Sequence, residues 1–341
     1  MNHFRPLVWP LLACLAGLVA VTTGYGPEAG FITLILLVLE VSLSFDNAVV
    51  NARVLETMSP AWQQFFLTWG LVIPVFGVRF LGPLLIVSLS SGSSLAQVLD
   101  WALHDGHRYA ELLEQAHPRI LAFGGMFLLL VFLKFFFDKG KTVHWIEQLE
   151  RQLVRAGKFE SFEIAVALTI LLVTASLTAP AIRADILISG LLGLTLNLVI
   201  SSLAEAFGPE DHSQITIQTG KAAIASIVYL ELLDASFSLD GAVGAFAITP
   251  NAILILVGLG LGALFIRALT VMLVRSRLLD SLVFLEHGAH YAIGSLGLLM
   301  LISINLPMPE TLTGCIGLVL IGLALADSWR YRRRQRSGAP R

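Results

Sequence analysis

Long apolar runs are the feature that most constrains this chain, because about 17 to 25 apolar residues suffice to cross the hydrocarbon core of a membrane as one helix. Such runs recur along most of the 341 residues. They predict ten transmembrane helices, at 7–23, 30–53, 61–90, 119–137, 162–180, 184–204, 222–249, 251–274, 281–304 and 310–327. A composition of 56% hydrophobic and 13% charged residues supports an all-α polytopic membrane protein.

Loop charges predict the orientation of these helices, since Lys and Arg accumulate on the cytoplasmic side of a membrane. With ten spans, most cations fall on the side that holds both termini, including the 138–161 loop and a basic tail at 328–341. We therefore predict a bacterial-type inner (plasma) membrane protein with both termini cytoplasmic and the 91–118 loop external. A net charge of -2 gives no indication of nucleic acid binding.

Two of the apolar runs contain clustered carboxylates, in an acidic motif at 40–52 and a second one at 231–249. An ionised carboxylate at the centre of a bilayer costs at least about 2.5 to 3.5 kcal/mol, so each requires a partner or a function. The acids are Glu40 and Asp46 in the first motif and Glu231, Asp234 and Asp240 in the second.

The two motifs align with each other and reveal an internal repeat. Setting Asp46 on Asp240 aligns Glu40 with Asp234, and serines stand two and four residues before each aspartate. In the span after each motif, an arginine stands nine residues after the glycine of a Gly-Leu pair. The two arginines are Arg79 and Arg267. The copies are five spans apart, and an odd offset inverts the second copy. We predict two inverted five-helix halves, 1–160 and 161–341, with a site where they meet.

The spacing of the acids leaves the local helix geometry open. Glu40 and Asp234 fall near the middle of their spans, at 1.5 Å of rise per residue. Acids six residues apart on a continuous helix point about 120° from one another. A local break at the serines or glycines of each motif would let them converge. An unbroken helix packed tightly on a neighbour is the alternative.

The chemistry of these residues favours a hard cation. Arg79 and Arg267 balance two of the charges, and the remaining carboxylates stand beside hydroxyl groups and the amides of Asn47 and Asn51. Such oxygen ligands suit Mg²⁺, Ca²⁺ or Mn²⁺ and do not suit copper or structural zinc. The alternative interpretation is that the acids only pair with the arginines and hold helices together.

The segment ExxLSxDNA at 40–48 resembles the first signature of TerC-type membrane proteins, and ELxDxxFxxDxxxxAFAIT at 231–249 is similar to their second. The resemblance covers spans two to four and seven to nine. It implies a LysE-type transporter that exports manganese, with the ion as cargo and no tightly bound cofactor. Gly241 and Val243 depart from the usual second signature. The implied ligands are Glu40, Asp46, Asn47, Glu231, Asp234 and Asp240.

Other function classes fit the sequence less well. An intramembrane aspartyl protease requires a GxGD motif, which the chain lacks, and no GxxxxGK[ST] nucleotide-binding motif is present. We therefore predict that the protein is not an enzyme, and that protons on the carboxylates drive transport. A TerC-like scaffold or assembly factor in metal or tellurite stress resistance is the alternative function. The sequence gives no oligomeric state.

Several weaker polar features remain. Glu286, His287 and His290 form an entry site or proton relay, or else a simple pairing at the membrane interface. An amphipathic cytoplasmic helix is predicted with Trp145, Leu149 and Leu153 on its apolar face. Histidines and acids in the 91–118 loop indicate either a metal-collecting funnel or a solvated loop with a short helix.

Two widely separated cysteines, Cys14 and Cys315, are predicted to be buried small hydrophobes.

Overall fold

The computed structural model describes residues 5–68, 77, 81–138, 140–141, 143–157, 161–207, 219–249, 251–276, 282–308 and 310–336. Within these ranges the protein is all-α and contains no strand. The predicted fold class is therefore confirmed at the level of helical architecture. The helices are α1 (Arg5–Tyr25), α2 (Pro27–Leu43), α3 (Phe45–Glu56), α4 (Pro60–Thr68), α5 (Gly82–Ser91), α6 (Leu95–His104), α7 (Gly106–Phe137), α8 (Glu147–Ala156), α9 (Phe162–Leu177), α10 (Arg183–Phe207), α11 (Gly220–Ile248), α12 (Ala252–Ser276), α13 (Leu285–Ser303) and α14 (Glu310–Arg336).

Each of the ten predicted apolar runs contains at least one of these helices. Among the described residues, four helices are long and apolar enough to cross a membrane, and the number rises to six if two bent pairs each form one span. The bent pairs are α2 with α3, at 50°, and α5 with α6, at 116°. These helices support a membrane-embedded protein, while the count of ten spans stays a prediction.

Helix α7 is longer than the apolar run that predicted it. It begins at Gly106, so much of the predicted 91–118 loop is helical, either in α7 or in the short α6. Hydropathy does not detect this start because the residues around it are polar. The early turns are nevertheless held by Tyr109, Leu113 and Ala116, which are buried and spaced by three or four residues on one face.

Helix α3 lies inside the bundle. Its residues Ala48, Val49, Val50 and Ala52 belong to the largest hydrophobic cluster, together with side chains from α7, α12 and α13. Asp46, Asn47 and Asn51 of the same helix are buried as well, so these polar residues are surrounded by protein.

Close packing of α12 on α2 depends on two glycines one turn apart. A Cβ atom at Gly258 would lie 2.6 Å from Cβ of Leu36, and one at Gly262 would lie 2.6 Å from both Cβ and Cγ of Glu40. Small residues at this spacing let helix backbones approach each other in membranes. The second glycine therefore gives Glu40 the space that it occupies.

The prediction for the cysteines is confirmed for Cys14, which is buried, and wrong for Cys315, which is exposed. Helix α14 contacts the bundle through Ile321, Ala324 and Ser328, all buried and spaced by three or four residues. Cys315 lies on another face of the helix. Hydropathy identifies an apolar helix, but it does not specify which face packs.

Candidate functional site

The first acidic motif bends where α2 ends and α3 begins. Ser44 joins the two helices with φ -103° and ψ 8°, and the helix axes differ by 50°. Its hydroxyl donates a hydrogen bond of 2.7 Å to Oε1 of Glu40. The helix of the first motif is therefore broken, which is one of the two geometries that the sequence allowed.

The second acidic motif has no such break. Helix α11 continues from Gly220 to Ile248 through all of its serines and glycines. The two copies of the repeat consequently differ in local structure. Asp240 lies within this helix, but its side chain is outside the described part of the structure, and Arg79 lies outside the described residues altogether.

Asp46 occupies the first turn of α3. Its Oδ1 accepts a hydrogen bond of 2.9 Å from the backbone N–H of Asn47, and its side chain is buried. The start of a helix carries a partial positive charge, which stabilises a carboxylate there. The bend at Ser44 creates this helix start inside the bundle, so it provides an electrostatic reason for an acid at position 46.

The two acidic motifs meet through Asn47 and Asp234. Nδ2 of Asn47 donates a hydrogen bond of 2.7 Å to Oδ1 of Asp234 on α11. Asn47 is fully buried and Asp234 is buried. The contact joins residues of the first and second predicted halves and places both motifs in one region of the bundle.

Glu231 and Arg267 form a buried ion pair beside this contact. One guanidinium nitrogen of Arg267 lies 3.3 Å from Oε1 of Glu231, and both side chains are 9% exposed. The guanidinium also stacks on the ring of Phe66, 3.7 Å from its centroid. This geometry agrees with the predicted charge-balancing role of Arg267, because a buried carboxylate requires a close cation.

Each described acid of the two motifs contacts a polar or basic group. Glu40 binds Ser44, Asp46 binds the start of its own helix, Asp234 binds Asn47, and Glu231 binds Arg267. Within the described residues, no three His, Cys, Asp or Glu side chains are grouped closely enough to hold a metal ion. Of the predicted ligands in the described part of the chain, the structure joins Asn47 and Asp234 directly and does not group the acids around one metal position.

The proposed relay residues lie at a different place, near the start of α13. Glu286 pairs with Arg53 at 3.0 Å. Nδ1 of His290 lies 2.8 Å from the backbone carbonyl oxygen of Glu286, and its ring stacks on Phe135 with centroids 3.6 Å apart. His290 therefore contacts the backbone of Glu286, while the Glu286 carboxylate pairs with Arg53.

Glu150 on α8 is a buried acid that the sequence analysis missed. Its Oε1 accepts hydrogen bonds of 3.2 Å from the backbone N–H groups of Trp145 and Ile146. The hydroxyl of Tyr291 donates to the same oxygen over 3.3 Å. Three basic side chains surround Oε2: Lys141 at 3.3 Å, His287 at 3.4 Å and His144 at 3.5 Å.

This group of Glu150, Lys141, His144, His287 and Tyr291, hereafter the Glu150 cluster, ties α8 and the segment before it to α13. Burial lowers the pKa of Lys141, and the nearby Glu150 carboxylate opposes that shift. One sequence signal could have identified Glu150. It stands three residues before Leu153, so it shares the face that packs on the bundle.

The comparisons with known proteins give a family. The profile of the family described as "Protein of unknown function (DUF475)" matches residues 45–335, from the start of α3 into the last turns of α14. No curated protein and no solved structure matches the chain. Since the match covers most of the sequence, the chain belongs to the DUF475 family.

Proposed function

We propose that the protein is a membrane transporter that exports a divalent cation, with manganese the favoured ion. The observation that carries this proposal is the hydrogen bond between Asn47 and Asp234, which joins two acidic motifs far apart in sequence. A purely local contact between neighbouring helical turns would not join residues of both motifs. The TerC-like pattern of the motifs supports the same function.

The path of the ion lies between α3 and α11 in this proposal. Asp46, Asn47 and Asp234 are oxygen donors of the kind that hard divalent cations prefer. Asp240 and Glu40 complete the ligand set when the cation is bound, and Arg267 offsets the charge of Glu231. The ten spans form two inverted five-helix halves in an inner membrane, with both termini cytoplasmic.

The experiment compares cellular manganese content with and without the protein, together with the variants Asp46→Asn and Asp240→Asn. Each variant removes one ligand charge with little change of shape, so manganese export should be lost while the protein stays inserted and folded. Glu231→Gln is the matched control. It removes an acid that pairs with Arg267 and should lower thermal stability, because the arginine loses its buried counter-charge.

Two results would overturn the proposal. One is an Asp240→Asn protein that is folded and exports manganese at the wild-type rate. The other is wild-type protein that leaves cellular manganese unchanged and gains no thermal stability from Mn²⁺ when purified. The second result would favour a TerC-like scaffold or assembly factor without transport activity.

A further inference from the structure

Two amide oxygens on α3 are buried without a hydrogen-bond donor. Oδ1 of Asn47 and Oδ1 of Asn51 have no hydrogen-bond partner in the described structure, and the two residues are 0% and 4% exposed. Residues four apart in a helix lie on the same face, one turn from each other. The Asn47 amide nitrogen already binds Asp234, which fixes the direction of its oxygen.

Such oxygens are unusual, because nearly all buried polar groups in proteins are hydrogen-bonded. This protein satisfies a comparable amide elsewhere. Asn197 on α10 is equally buried, and its Nδ2 donates to the backbone oxygen of Phe127 while its Oδ1 accepts from Ser201. The other buried side-chain atoms without a hydrogen bond in the described residues belong to ion-paired side chains, so the two amide oxygens form a distinct stripe on α3.

The surroundings of this stripe differ at its two ends. At the Asn47 end lie the carboxylates of Asp46 and Asp234. One turn beyond Asn51 comes Leu55, which packs with Met58 into an apolar cluster. The other fully or largely buried members of that cluster are Phe66, Ile227 and Leu230. The stripe is consequently polar toward the acidic motifs and closed by apolar side chains at its other end.

Amide and carboxylate oxygens together are the ligands of hard divalent cations. An amide oxygen carries no full charge, so it contributes less to affinity than a carboxylate does. We infer that Asn51 is a second contact for the divalent cation, one helical turn from the acidic residues, and that the Leu55 cluster closes this position at its far end. The inference rests on the proposed function and adds a residue and a subsite to it.

The first test substitutes Asn51→Asp in the full-length protein purified in detergent and measures thermal stability against Mn²⁺ concentration. If a cation reaches position 51, the added carboxylate becomes a ligand, and apparent Mn²⁺ affinity should rise on the order of tenfold over the wild type. Asn197→Asp is the matched control, since it places the same charge at an equally buried asparagine. It should show no gain in affinity.

The second test, Asn51→Leu, keeps the size of the side chain and removes the acceptor. Without metal, this variant should be as stable as the wild type or more so, because an unsatisfied buried group is replaced by an apolar one. Its stabilisation by Mn²⁺ should fall. If Asn51→Asp does not fold, the stabilisation of Asn51→Leu by Mn²⁺ tests the subsite by itself.

The outcomes separate this inference from the proposed function. The subsite would be overturned if Asn51→Asp and Asn197→Asp responded equally to Mn²⁺, or if Asn51→Leu responded as strongly as the wild type. In either case, Mn²⁺ binding by the wild type would leave the transporter proposal intact. A wild-type protein that does not respond to Mn²⁺ would overturn both.

Discussion

Asn47 on α3 donates a hydrogen bond to Asp234 on α11 over 2.7 Å, although 187 positions separate the two residues in the chain. The bond is short and buried, and it joins the two acidic motifs directly. It is possible because the chain bends at Ser44, which starts a new helix within the bundle. A local feature of the first motif thus places its amide against an acid of the second.

This relationship predicts a measurable coupling between the two side chains. The variants Asn47→Ala and Asp234→Ala, made singly and together, should show an interaction free energy of about 0.5 to 3 kcal/mol in a double-mutant cycle. The reason is that either single change leaves a buried partner without this hydrogen bond. Unfolding of the purified protein without added metal provides the measurement. Additive effects would mean that the bond contributes nothing to stability.

The helical content of the fold could be predicted because it depends on local hydropathy. Each of the ten apolar runs contains at least one helix, and the alternatives for the acidic motifs included the bend that the structure has at Ser44. The sequence did not specify that only the first motif bends. Ser44 ends α2 by binding Glu40, whereas α11 continues through its serines.

The partner of each acid could not be predicted, because it depends on helices that are distant in sequence. Glu150 illustrates this. Its spacing from Leu153 indicates a packed face, but it does not reveal that groups from α13 and from the segment before α8 bury the carboxylate. The alignment of arginines did predict a counter-charge, and Arg267 is found beside Glu231.

The contact of Gly262 with Glu40 predicts that Gly262→Ala is destabilising. Its new Cβ would lie 2.6 Å from Cβ of Glu40, so α2 and α12 must separate, at a cost of about 1 to 3 kcal/mol. Gly322→Ala on α14 is the control. No atom lies within 4 Å of a Cβ placed there, and alanine favours a helix by up to about 1 kcal/mol. Thermal unfolding in detergent should therefore move in opposite directions for the two variants, and a fall for both would count against the packing argument.

The Glu150 cluster predicts a large effect from an acid far from the proposed ion path. Glu150→Ala should cost about 3 to 5 kcal/mol, because Lys141, His144 and His287 would lose their buried counter-charge. Trypsin should then cut more readily within α8, which contains Arg151. Glu147→Ala provides a control on the same helix. Its side chain is 59% exposed and pairs with the exposed Arg151, so its effect should stay within about 0.5 kcal/mol. Equal behaviour of the two variants would show that α8 is not held by its buried acid.

Lys141 predicts the direction of a pH effect. Burial lowers its pKa in the folded protein below the ordinary value of 10.5, so between these two pKa values the unfolded chain binds more protons at this position than the folded chain. The contribution of Lys141 to stability must then increase as pH rises through that interval, since stability rises with pH wherever the unfolded state holds more protons. The comparison is between wild type and Lys141→Met, because tyrosines and other groups that titrate at alkaline pH are present in both. The free energy of unfolding of the wild type should rise relative to that of the variant from neutral pH toward 10.5. A difference that stays constant, or that falls, would mean that the Glu150 carboxylate holds the lysine charged as strongly as water does.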